Sequence, residues 1–237
     1  MNCLFHRALL GCGLALALSA FAPGATAHGD LHERIAALDG QILTNQSSPE
    51  LRLQRADLNR QHRDFTAALL DLDQAAKLRP GWAATHLQRA RINSDLENFP
   101  ATVNAATDCL KLAPANADAL VLRARAQARL GKFAAAAADY DAVLNYTNSA
   151  PPLPDLYLER ARAQAALGSL AEAIHGLDNA QKRLGATPSF ALPAIEYERQ
   201  RGNFAAALER LERAKSFFNA DSHARLREEI QKQAVRQ

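Results

Sequence analysis

Ala117–Asn148 reads ADALVLRARAQARLGKFAAAAADYDAVLNYTN, and the fold of the chain turns on how this stretch is understood. Large apolar residues (Leu120, Phe133, Tyr140, Tyr146) are interleaved with small ones (Ala124, Gly131, Ala136) at helical spacing. The spacing predicts two amphipathic helices, Ala117–Leu130 and Phe133–Tyr146, joined by a turn at Gly131-Lys132. A lone hairpin of this kind cannot bury its apolar faces, so it needs neighbours built alike.

The rest of the chain supplies them. The same template begins at Pro49, Ala83, Ala117, Pro154 and Pro188, at steps of 34, 34, 37 and 34 residues. At its eighth position stand Ala56, Ala90, Ala124 and Ala161, then Ile195; at its twentieth, Ala68, Thr102, Ala136, Ala173 and Ala207. The seventeenth carries Phe65, Phe99, Phe133, Leu170 and Phe204. Helices approach within roughly 8–10 Å where the contact residues are small, so the alanines set the seam and the larger residues fill around it. Pro80 and Pro114 close the second helix of repeats one and two, because proline cannot continue a helix.

A 34-residue period of paired helices with these residues resembles the tetratricopeptide repeat (TPR) family, from about Pro49 to Asn219. The resemblance implies an all-α TPR-like α-solenoid of antiparallel helix pairs, wound as a right-handed superhelix and closed by capping helices. Repeats one to three span 49–146 and repeats four and five span 154–219, with a stiff Pro-rich connection at 147–153. Two departures carry expectations. Thr102 and Ala106 should loosen repeat two, and Pro193 should kink or shorten the first helix of repeat five.

The family resemblance also points to roles for polar residues. Arg55, Arg89, Arg123 and Arg160 share the seventh position, and Asp71 and Asp139 the twenty-third. Arg55 with Asp71 and Arg123 with Asp139 resemble the family variant in which the arginine pairs with an acid on the facing helix. Repeats two and four carry Ala105 and Gly176 instead, so Arg89 and Arg160 need other partners. Ligand contacts are implied on the inner face of each first helix. There Leu87, Val121 and Leu158 give an apolar floor, and Arg91, Arg125 and Arg162 a central basic row joined by Arg129. The lysine and asparagine of the carboxylate-clamp version are absent, so binding of chaperone tails is not implied. The surface suits a protein or peptide partner with acidic groups, held by bidentate bonds.

Outside the repeats, Met1–Ala27 reads as a cleavable signal peptide, with Arg7, an apolar stretch at Ala8–Phe21 and a small-x-small site at Ala25-Thr26-Ala27. Cleavage after Ala27 implies export, to the periplasm in a Gram-negative cell, with no integral membrane segment left. It also leaves one cysteine, Cys109, at a packing position. A capping helix is expected over Leu31–Leu43, started by Asp30 and Glu33, and a second over Ser222–Val235 with a stripe at Ala224, Leu226, Ile230 and Ala234. The capping regions then run 28–48 and 220–237. His28 and His32, near a new amino terminus, are weak candidates for metal.

No catalytic motif stands out, and no cofactor is implied. A formal net charge of +3 is too small to argue for nucleic acid. The expectation is a non-catalytic binding scaffold of the cell envelope. The alternatives are a structural adaptor acting through its ends or convex side, its oligomeric state open, and a metal-handling protein using its terminal histidines.

Overall fold

The computed structural model describes residues 23–146 and 153–236. The chain is all-α there: α1 (Pro23–Thr44), α2 (Pro49–Gln61), α3 (Phe65–Leu78), α4 (Ala83–Asp95), α5 (Phe99–Leu112), α6 (Ala117–Arg129), α7 (Phe133–Tyr146), α8 (Pro154–Ala166), α9 (Leu170–Leu184), α10 (Pro188–Gln200), α11 (Phe204–Arg213) and α12 (Ala220–Val235). Consecutive helices from α2 to α11 pack as five hairpins, each against the next. Residues 147–152 and Met1–Ala22 lie outside the described part, and with them most of the Pro-rich connection and of the signal sequence. The expected cleavage point after Ala27 falls within α1.

Each hairpin starts and turns for a local reason. Asp64, Asn98 and Asn203 cap α3, α5 and α11, their side chains accepting the backbone N–H three residues on. The turn before each second helix needs a left-handed residue. Gly131, Gly168 and Gly202 supply it with φ of 73°, 80° and 74°, while Arg63 and Glu97 adopt it at 65° and 56°. The seam is made of the small residues. Ala56, Ala90, Ala124 and Ala161 are at most 2 % exposed, and Ala68, Ala136, Ala173 and Ala207 are fully buried.

Two expectations about packing are corrected. Repeat two is not opened at Thr102 and Ala106: both are fully buried, and Leu122 of α6 packs on Ala90, Ala105 and Ala106. The Thr102 hydroxyl donates to Asn98 O at 2.9 Å, so its burial leaves no orphaned donor. Pro193 does not shorten α10, which has the same 13 residues as α4, α6 and α8. As the sixth residue of the helix it gives up the bond to Ser189 O and crowds that carbonyl, yet the helix continues past it to Gln200. The short helix is α11, with ten residues before a 3-10 turn at Lys215–Phe217.

Position-seven arginines tie the hairpins together, and they alternate. Arg55 donates to Asp71 through Nε and Nη2, at 2.8 and 2.6 Å, and to Asp39 of α1 through Nη1 at 2.6 Å. Arg123 makes the same fork on Asp139, at 2.8 and 2.6 Å, and reaches Thr107 of α5 at 3.3 Å. Arg89 and Arg160 instead look to the preceding hairpin, Arg89 pairing with Asp73 and Arg160 lying 2.5 Å from Asp141. A Cβ on Gly176 would come 3.0 Å from Arg160 Nη1, so the glycine makes room for the guanidinium. Repeat five reverses the arrangement. Position seven is Ala194, and Arg210 from α11 holds Asp178 of α9 at 2.6 and 2.8 Å.

The ends are finished with polar residues. α1 lies where the second helix of a preceding hairpin would lie, burying Leu38 and Ile42. Its Arg34 and Gln41 are exposed at the two positions that carry buried small or medium-sized residues in all five repeats. Asp30 is not its cap, because the helix already runs from Pro23, a residue a first turn accommodates. Asp30 sits inside the helix, 4.0 Å from Arg34. α12 starts at Ala220 with Asn219 as its cap. It buries His223 and Ile230 and half-buries Leu226, whereas Ala224 and Ala234 are exposed.

Candidate functional site

The first helices α4, α6 and α8 lie in adjacent hairpins and bring their ninth positions, Arg91, Arg125 and Arg162, into one series. The fifth positions, Leu87, Val121 and Leu158, are half-buried and packed on the core. They brace the helices rather than line the opening beside the arginines. That opening is a pocket of about 480 Å³. Its floor is Phe99, Phe133 and Tyr140 with Ala126, Ala128 and Ala163, and its rim carries Arg125, Arg129, Arg162, Glu97 and Glu159.

The basic row is partly neutralised by its own neighbours. Arg91 donates to Asp118 at 2.5 Å. Arg125 Nε donates to both Glu159 oxygens, at 3.1 and 2.9 Å. Arg129 stacks 4.5 Å over the Phe99 ring and stands 4.0 Å from Glu97. Arg162 is exposed and makes no ion pair among the described residues. Positive charge is thereby concentrated at Arg162 and at Arg129, whose pairing with Glu97 is long, and both line the pocket with the aromatic floor. Burial and the adjacent Glu159 carboxylate push the Tyr140 hydroxyl above its ordinary pKa, so this wall of the pocket stays neutral.

No protein-family model and no curated protein sequence matches the chain. Solved structures do. YrrB, described as a TPR protein with an unusual peptide-binding site, superposes with a TM-score of 0.68 at 16% identity, over 81% of this chain and 98% of its own. The chain has the tetratricopeptide-repeat fold. PilW, a widely conserved type IV pilus biogenesis factor, gives 0.61 at 18% identity, over 81% of this chain and 88% of its own. MamA residues 41 to the end, from Desulfovibrio magneticus RS-1, gives 0.61 at 15% identity over 71% and 94%.

Within these tetratricopeptide repeats, pocket residues outside the position-nine row come from elsewhere in the pattern. Phe99, Phe133 and Tyr140 read in sequence as interhelical packing, yet they also face the opening. Glu159 and Asp118 sit at positions six and two, where nothing in the repeat marks them as partners of arginine. Glu97 did leave a trace. It occupies the left-handed turn position, with φ 56°, where repeats three to five have glycine. A side chain kept there against backbone preference lies on the rim of the pocket.

The metal candidates are placed differently. His32 meets His62 at the end of α2 rather than standing at a free terminus, and the side chain of His28 lies outside the described residues. Cys109 is fully buried, and burial raises its thiol pKa, as suits a packing residue. No helix among the described residues is long and apolar enough to cross a membrane.

Proposed function

We propose that the chain is a non-catalytic scaffold that holds a peptide segment of another protein in the groove of repeats two to four. The observation that carries this reading is the pocket under Arg129 and Arg162. An aromatic floor with two exposed cations beside it fits an apolar side chain accompanied by carboxylates. The acids at Asp118 and Glu159 narrow the selection, because a peptide must place its charges toward Arg129 and Arg162 rather than along the whole row. YrrB, a neighbour in fold, has a peptide-binding site, and PilW serves pilus biogenesis; both lend the reading support. The exposed Arg34 and Gln41 of α1 argue against apolar stacking of copies through that end.

The test is fluorescence polarisation with a labelled panel of ten-residue peptides, acidic, neutral or basic around a central leucine or phenylalanine. Acidic peptides should bind in the micromolar range, and Arg162→Glu should weaken them about tenfold or more. Equal binding of basic peptides, or an unchanged affinity in Arg162→Glu, would overturn the reading. The leader-like Met1–Ala27 further supports export to the cell envelope. Amino-terminal sequencing of protein from fractionated cells checks it, with His28 expected as the first residue of the exported form.

A further inference from the structure

We propose that His32 and His62 form a two-imidazole site for a divalent transition-metal ion, Cu(II) before Zn(II), that ties the amino-terminal half of α1 to repeat one. The residues lie 30 positions apart in sequence, yet their Nε2 atoms stand 3.1 Å apart and their ring centroids 4.3 Å, at 66° between planes. With metal–nitrogen bonds of about 2.05 Å, that nitrogen separation corresponds to an angle of about 98° at a shared ion, between square-planar and tetrahedral values. The centroids carry a second argument. Two imidazoles in a head-on N–H···N hydrogen bond of this length would hold their centres about 5.4 Å apart, and two sharing an ion about 4.8 Å. The observed spacing is nearer the converging arrangement.

Both rings reach solvent, His32 exposed and His62 half-buried, so an ion can enter without opening the fold. No three His, Cys, Asp or Glu residues converge on a metal-sized site among the described residues, so water completes the coordination. The site has a mechanical role. The carboxyl-terminal half of α1 is fixed by Leu38, Ile42 and the Asp39–Arg55 pair, while Leu31 and Ile35 toward its start are half-buried. An ion at the histidines pins that amino-terminal part, just upstream of Arg34 and Leu38, which line the opening between α1 and α2 with Asp57.

The experiment is titration of the tag-free full chain with Cu(II) and with Zn(II), followed by calorimetry, copper electron paramagnetic resonance and thermal unfolding. One Cu(II) per chain with imidazole hyperfine structure and a raised melting temperature is expected. His32→Ala and His62→Ala should each weaken binding about tenfold or more and remove the thermal shift, with Zn(II) weaker throughout. His62→Gln, of closer size, serves if the alanine variant loses helix by circular dichroism. Absence of copper binding overturns the proposal. So does copper binding untouched in both His62 variants, which would put the ion at the amino terminus.

Discussion

Three residues separate the two helices of each hairpin, the middle one left-handed, and repeats one and two fill that place with Arg63 and Glu97. Replacing Glu97 with glycine should stabilise the protein by about 1 kcal/mol in urea unfolding, because a β-carbon in that conformation is strained. Loss of stability would mean that the Arg129 contact outweighs the strain. Arg160 and Gly176 make a coupled pair. Gly176→Ala should yield less than the roughly 1 kcal/mol of helix propensity in the parent chain and recover it in an Arg160→Ala background. Additive behaviour across the four variants would deny the contact. For Asp178, burial works to raise the pKa, but the hydrogen bonds and charge of Arg210 prevail and hold it below the ordinary value. A depressed carboxyl pKa contributes stability above about pH 4 that is lost as the pH falls through the folded value. The urea midpoint should therefore drop between pH 5 and 3, and the drop should shrink in Asp178→Asn.

The helices themselves were readable from sequence because their signals are local. Small residues recur at positions eight and twenty in most repeats and prolines follow the second helices of repeats one and two, and α6 and α7 lie within a residue of the boundaries expected for them. Asn98→Ala should lower stability by about 1 kcal/mol through loss of the α5 cap, checked by thermal or urea unfolding. What the period did not convey lies between hairpins. Leu122 packs over the small pair Ala105 and Ala106 from the next repeat, so a site that looks underfilled within one hairpin is full in the stack. The same holds for the groove. Arg91 meets Asp118 and Arg125 meets Glu159 across repeat boundaries, at 27 and 34 residues' distance, and such meetings depend on how hairpins turn relative to one another. Arg210 was missed for another reason: the guanidinium moved from a first helix to a second, leaving Ala194 at the place where the pattern looks for it.

Across the whole molecule, five hairpins stand between two helices whose outward residues are polar, so the array can be trimmed in the middle without exposing new ends. The arginine ladder decides which trims succeed. Deleting residues 117–153 would set Arg160 against Thr107 and Gly176, a guanidinium 22% exposed with no carboxylate within reach of its seat. Deleting 83–153 would set the same arginine against Asp73. The larger excision should therefore fold cooperatively, while the smaller should lose about 3 kcal/mol beyond the missing contacts or fail to fold. Circular dichroism melts of the two chains compare them directly. If the shorter deletion is the better behaved, the alternation has no hold on assembly. Should the expected order appear, the inheritable module of this solenoid is the couple rather than the single repeat. Duplication or loss in its lineage would then leave a viable protein most readily when two neighbours travel together.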